Sequence, residues 1–198
     1  MTKLKKHLDI GCGDRPRNPY NYEVACGIDV MPASALGDEV EFEYRQADVV
    51  ADGIPYGDSE FDSVSAYDFL EHVPRVAVNH TGNMRSPFIL LMNEVYRVLK
   101  NEGIFVASTP AYPSPKAFQD PTHVNFITLG THEYFLSPDP YATRYGFNGR
   151  FACIYAGWDS EKNARNPTQS KISKLYRNIR CRMKGDLSHV TWILRAIK

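Results

Sequence analysis

Long hydrophobic runs are missing from this chain of 198 residues; none approaches the roughly 20 apolar residues that a membrane-spanning helix needs. Cysteine is scarce. Cys12, Cys26, Cys153 and Cys181 lie far apart and form no CxxC pair. That excludes a disulfide frame or a zinc-finger spacing and reads as reduced thiols in the cytoplasm. Net charge is absent, with 23 basic against 23 acidic residues. The GK[ST] of a phosphate-binding loop is not there. The third glycine of GxGxxG is also missing, because Pro16 stands in its place, so a dinucleotide is not the expected ligand. There is no repeat and no low-complexity tract. "MTKLKKHLDIGCG" is not read as a signal peptide, since Asp9 interrupts its short apolar run.

What is present is an ordinary globular composition, 43% hydrophobic and 23% charged. The length suggests one domain over 1–198, with a cofactor-binding half (1–110) and a substrate-side half (110–198). Short apolar runs alternate with helical patterns. Residues 5–10, 23–30, 42–48, 61–67 and 103–108 read as strands, and 150–157 and 189–198 as two last ones. The clearest helix is 87–100, with Ser86 as cap, Pro87 at its first position, and Gly103 past its end. A shorter helix is expected from Asp68, with Glu71 at capping-box spacing and Pro74 as its limit. Strands alternating with helices imply an α/β fold, a doubly wound, mostly parallel sheet covered on both faces. Residues 110–135, rich in proline and aromatics, read as a long loop of the kind that carries function.

The glycines of "LDIGCG" (8–13) follow the first strand directly. There they let the backbone turn sharply and approach a ligand without a Cβ in the way. Asp29, at the end of the second strand, is placed to accept from both hydroxyls of a ribose. Alone, the DxGxG spacing suits any strand–glycine junction. Together with "GIDV" (27–30), "QADVVADGIPYGDSEFDSVSAYDFLEHV" (46–73) and "LMNEVYRVLKNEGIFVASTPAY" (91–112), it resembles the class I S-adenosylmethionine-dependent methyltransferases of the compact bacterial small-molecule type. The resemblance covers roughly the first 110 residues. It implies a Rossmann-like seven-stranded sheet with an antiparallel last strand, and S-adenosylmethionine as cofactor. It further implies that Asp9, Gly11, Cys12 and Gly13 frame the methionine end, Asp29 and Val30 the ribose, Asp48 and Val49 the adenine, and that Tyr67 and Asp68 border the methyl group. Asp68 reads first as a helix cap; Asp9 could be a turn residue, and Asp48 a strand-end acid. Arg15 stands where the family often has a further glycine. Residues 14–22 are too short and proline-broken for the usual first helix, and no lid helix is expected before the first strand, which leaves the pocket more open.

A hydroxyl acceptor needs its proton removed, which favours histidine or a carboxylate. His72 follows the fourth strand, and His123 lies in "FQDPTHVNF" with Asp120 as an orienting acid. His72 also fits a partly buried helical histidine, and His123 could simply bond loop backbone. His80, His132 and His189 show no ligand spacing, so no metal is expected. Charge is unevenly spread: residues 1–159 are net −8 and residues 160–184 net +7. A helix over 168–184 places Ile172, Leu175, Tyr176, Ile179 and Met183 on one face and basic residues opposite. It suits packing on the sheet, or peripheral contact with an anionic surface; one basic helix on an acidic body is too little for nucleic acid. Tyr112, Phe118, Phe126 and Tyr134 suit stacking on a sugar or plain loop packing. The expectation is O-methylation of a small sugar or saccharide intermediate. The alternatives are a nucleic-acid or protein methyltransferase, or a non-catalytic cofactor-binding or interaction protein of this fold.

Overall fold

The computed structural model describes residues 4–35, 42–78, 81–161 and 187–198. The expected basic helix over 168–184, His80 and Cys181 lie outside these residues. The strands are β1 (Lys6–Ile10), β2 (Val24–Asp29), β3 (Glu43–Gln46), β4 (Phe61–Tyr67), a two-residue pair β5 (Ala77–Val78) and β6 (Met84–Arg85), β7 (Leu99–Pro110), β8 (Phe151–Asp159) and β9 (His189–Ala196). Seven of them form one sheet in the order β3-β2-β1-β4-β7-β9-β8. β1 to β4 and β7 run parallel, and β9 is antiparallel to both of its neighbours. This is the α/β architecture expected above. The hairpin β5–β6 was not foreseen; it is too short to show an alternating pattern.

The chain runs outward from β1 to β3 and then returns to the other side of β1 as β4. The carboxyl ends of β1 and β4 therefore flank a switch point, where open α/β sheets bind ligands. Register places the functional candidates on one edge. Ile10 pairs with Ile28 and with Ala66, Asp29 with Gln46, Tyr67 with Ser108, and Pro110 with His189. The residues just beyond these pairs include Gly11, Asp48 and Asp68.

Helix α1 (Pro87–Val98) forms where periodicity placed it. It buries Phe88, Leu91, Met92, Val95 and Val98, each worth about 1.5–3 kcal/mol of transfer free energy. Its end differs from expectation. Leu99 is already extended, Glu102 takes the left-handed conformation (φ 63°), and a Cβ on Gly103 would stand 2.9 Å from the Lys100 carbonyl oxygen. Gly103 is thus required by close backbone approach within β7 and not by a helix cap.

The helix expected from Asp68 is a single 3-10 turn over Leu70–His72. Asp68 has φ 52° and does not cap it; Phe69 holds that position without a side-chain bond. Glu71 accepts from the Thr109 hydroxyl, because β4 and β7 bring Thr109 within reach.

Residues 11–23 and 47–60 connect strands without a helix. The second connection is clamped from α1: Arg97 donates to the Ile54 and Tyr56 carbonyls (both 2.8 Å), and Glu94 accepts from the Ile54 N–H (2.9 Å). The core lies between α1, the sheet and the 131–151 segment. There Phe61, Phe105, Phe135, Phe147, Phe151 and Trp192 are fully buried. Among the described residues, no helix is long and apolar enough to cross a membrane.

Candidate functional site

The carboxyl edge of the sheet carries two groups of acids. In the first, β1 ends in Gly11 (φ 67°) and Gly13 (φ 62°), a left-handed pair that only glycine adopts cheaply. A Cβ on Gly11 would collide with the Phe69 ring at 2.5 Å, whereas one on Gly13 would meet nothing within 4 Å. The backbone of Gly13 is therefore open to a ligand. Its N–H donates to Asp29 Oδ2 (2.9 Å), and the Met31 N–H donates to Asp29 Oδ1 (3.1 Å). Each oxygen of Asp29 keeps a second lone pair for a hydroxyl. Val30 is exposed beside it. Asp48 Oδ1 accepts from the amides of Val50 and Ala51 (3.0 and 3.1 Å), tightening the turn in which Val49 is buried.

Asp9 is fully buried and faces inward. Its Oδ2 accepts from the Arg17 N–H (2.8 Å) and its Oδ1 from the Ser65 hydroxyl (2.5 Å). Burial pushes its carboxyl up to about 6. On the same strand His7 bonds Ser63 and Ser65 (2.6 and 2.9 Å), and burial lowers its imidazole to about 4. Cys12 is buried, bonds the Gly13 carbonyl (3.4 Å), and is pushed by burial up to about 12, so it is no nucleophile. Tyr67 is buried with no partner for its hydroxyl, and the Arg17 guanidinium lies 4.8 Å from its ring centroid. Sequence reasoning missed Arg17, because the helix-breaking prolines around it masked what the loop delivers.

The second group surrounds an open cavity of about 550 Å³ lined by Asp68, Glu71, His72, Lys116, Asp120, His123, Glu161 and His189, among others. The structure thus brings His72, Asp120 and His123 together, although they come from two segments. His123 Nε2 stands 3.9 Å from Asp120 Oδ2, beyond hydrogen-bond length. The ring is oriented instead by Nδ1, which donates to the Ala117 carbonyl (3.2 Å). Asp120 accepts from the Thr122 N–H and hydroxyl (2.8 and 2.7 Å). That uses the hydroxyl proton, so Thr122 Oγ accepts from His72 Nδ1 (3.0 Å). Both imidazoles are left with a lone pair on Nε2. His72 is exposed and not partly buried in a helix; its ring meets His123 edge-on at 4.8 Å.

Two members were not foreseen. His189 Nε2 bonds Asp68 Oδ1 (2.9 Å), a contact made by the β7–β9 register across 121 residues. Glu71 is buried, accepts from the Thr109 hydroxyl (2.8 Å), and is raised by burial to about 7. Its place beside His72 in "LEHV" was the available signal, but it was read as a helix-cap partner. Among the described residues, one ligand atom each of Glu71, His72 and His123 lies within 4.8 Å of the others.

An adenosyl ligand with an amino-acid tail fits the first group. Gly13 leaves open backbone, Asp29 keeps acceptors for a ribose, and the Arg17 cation lies over the ring of Tyr67, whose hydroxyl is orphaned. In solved structures the fold resembles an S-adenosylmethionine-dependent methyltransferase from Archaeoglobus fulgidus, at TM-score 0.54 and 16% identity, covering 97% of this chain and 86% of that one. It resembles another from Mesorhizobium loti, at TM-score 0.56 and 15% identity, covering 98% and 93%. It also resembles the N-methyltransferase NodS from Bradyrhizobium japonicum WM9, at TM-score 0.52 and 10% identity, covering 98% and 87%. A search of curated proteins gives no match. The methyltransferase-domain family model matches residues 8–107, which hold the glycine turn, Asp29, Asp48 and the 67–72 segment. The chain belongs to that family, the class I methyltransferases, whose methyl donor is S-adenosylmethionine.

Proposed function

We propose that this protein methylates a hydroxyl of a small sugar-like acceptor held in the cavity at the ends of β4, β7 and β9. The observation that carries the reading is the cavity's lining. Carboxylates and imidazoles, the groups that accept hydroxyl protons, crowd its wall directly beyond Tyr67 and Asp68 at the switch point. S-Adenosylmethionine supplies an electrophilic methyl carbon for in-line displacement. The chain's own task is alignment and proton removal. Gly13 and Asp29 hold the nucleoside, and Arg17 neutralises the tail carboxylate. Asp48 and Val49 shape the adenine end, Val30 flanks the ribose, and Gly11 and Cys12 form the turn. Asp9 acts from beneath, by holding the loop that carries Arg17.

On the acceptor side His123, with Nδ1 tied to Ala117, offers Nε2 to a hydroxyl proton. His72 and the Asp68–His189 pair border the same space. Tyr112, Phe118 and Phe126 form an exposed ring cluster, with centroids 6.4 and 5.3 Å apart, on the loop that lines the cavity. Such rings suit stacking on a pyranose face. The test is transfer of labelled methyl from S-adenosylmethionine to a panel of saccharides, peptides and RNA. Label in the saccharide pool with an alkali-stable ether linkage supports the reading. Label only in RNA or protein, or none despite cofactor binding, overturns it.

A further inference from the structure

Glu71 Oε1 and His123 Nε2 face each other 4.0 Å apart. With His123 Nδ1–H bound to the Ala117 carbonyl, Nε2 carries a lone pair, as does the carboxylate. Two acceptors this close, inside a wall whose Glu71 side chain is 2% exposed, are relieved by a shared proton or by a cation between them. His72 adds a third donor, with its Nε2 lone pair left over by the Thr122 contact. The two segments are locked together. The amides of Val124 and Asn125 both donate to the Glu71 carbonyl (2.9 Å each), and Asn125 Nδ2 donates to the Leu70 carbonyl (3.0 Å). Glu71 is steadied by Thr109, and each imidazole by its Nδ1 partner, the outer support typical of metal ligands.

We propose that Glu71, His72 and His123 hold a divalent transition-metal cation whose open positions take hydroxyl oxygens of the acceptor. Two imidazoles and one carboxylate select zinc, manganese, iron or cobalt over magnesium or calcium. Ligand bonds near 2.1 Å put donors roughly 3–4 Å apart, and one ligand atom from each of the three residues already lies within 4.8 Å of the other two. The inference rests on the methyl-transfer reading of the cavity and changes what activates the hydroxyl. The oxygen coordinates the cation and its proton leaves to the Asp68 carboxylate. The oxygen's electron pair then forms the C–O bond as the C–S bond breaks, leaving the methyl ether and S-adenosylhomocysteine. His123 then serves as ligand and not as base.

The test begins without turnover. Chelator-stripped full-length protein is dialysed against Zn²⁺, Co²⁺ or Mg²⁺ and bound metal is counted, with Co²⁺ absorption as the spectroscopic readout. One equivalent of Zn²⁺ or Co²⁺ is expected, with little Mg²⁺. Glu71→Gln, His72→Ala and His123→Ala should each weaken binding about tenfold or more. Glu133→Gln, on an exposed residue elsewhere, should not. Calorimetry with S-adenosylmethionine and circular dichroism confirm that each variant is folded. Absent binding in the parent protein, or binding indifferent to His72→Ala and His123→Ala, overturns the site. Methyl transfer is then assayed with and without Zn²⁺. Transfer undiminished in chelator removes the cation's role and leaves the methyl-transfer reading standing. Stoichiometric metal with no transfer to any hydroxyl acceptor keeps the site and removes that reading.

Discussion

The two halves of the sheet's carboxyl edge use their acids differently. At the tips of β1 to β3, Asp9, Asp29 and Asp48 accept backbone N–H groups of the loops that follow, so each shapes main chain. At the tips of β4, β7 and β9, Asp68 and Glu71 meet the side chains of His189 and Thr109 and open on a cavity. The first arrangement makes a cradle of main chain held by carboxylates. The second makes a chemical surface whose charge can change.

The comparison is sharpest in catalysis. His123→Ala should lower methyl transfer about 10²–10⁴-fold. It should leave cofactor affinity unchanged, as separate titrations of cofactor and acceptor would show. An equal loss of both would merge the two halves. Asp29→Ala should do the reverse. Losing an acceptor for two loop amides and for the ribose should weaken S-adenosylmethionine binding about a hundredfold, near 3 kcal/mol, by calorimetry. Unchanged affinity would break the assignment of the cradle.

A third effect lies under the cradle, where two shifted groups oppose each other. Asp9 has its folded pKa raised to about 6 from 3.8, so its contribution is complete below 3.8 and lost as pH rises through 6. His7 has its folded pKa lowered from 6.5 to about 4, so its contribution is complete above 6.5 and lost as pH falls towards 4. Between these limits the two slopes cancel. Asp9→Asn should remove the aspartate's slope: relative to the parent protein, the variant's stability should rise by about 3 kcal/mol from pH 3.8 to 6 in urea titrations. A difference that stays flat across that window would show that the pair is not independent. The smallest effect belongs to the exposed Lys116–Glu161 bridge (2.9 Å) at the cavity rim. Lys116→Ala should change the unfolding free energy by less than about 0.5 kcal/mol in urea titrations, since exposed ion pairs are screened.

Much of this was legible before any coordinates. The alternation of short strands and the α1 periodicity placed five parallel strands and one helix within a residue or two, except that β7 begins earlier and runs into the helix end. Local chemistry explains that success, because a strand flanked by glycine or proline needs only its neighbours to be recognised. The turn at 68–72 was misread for the same reason. Its capping-box spacing is a local signal, and it was overridden when Thr109 and His189, distant in sequence, took the side chains of Glu71 and Asp68. Arg17 escaped notice because a proline-broken loop has no period to read.

By itself, the sequence determined the succession of strands up to β4, the sharp glycine turn after the first of them, and the place of Asp29 at the end of the second. These depend on residues close along the chain, where sterics and hydrogen bonding act directly. Only the tertiary structure decided that Asp68, Glu71, His72, His123 and His189 share one cavity. Their meeting depends on the antiparallel register of β9 on β7 and on a clamp between two loops. Such long-range pairings are set by the packing of the whole sheet, and no short stretch of sequence encodes them.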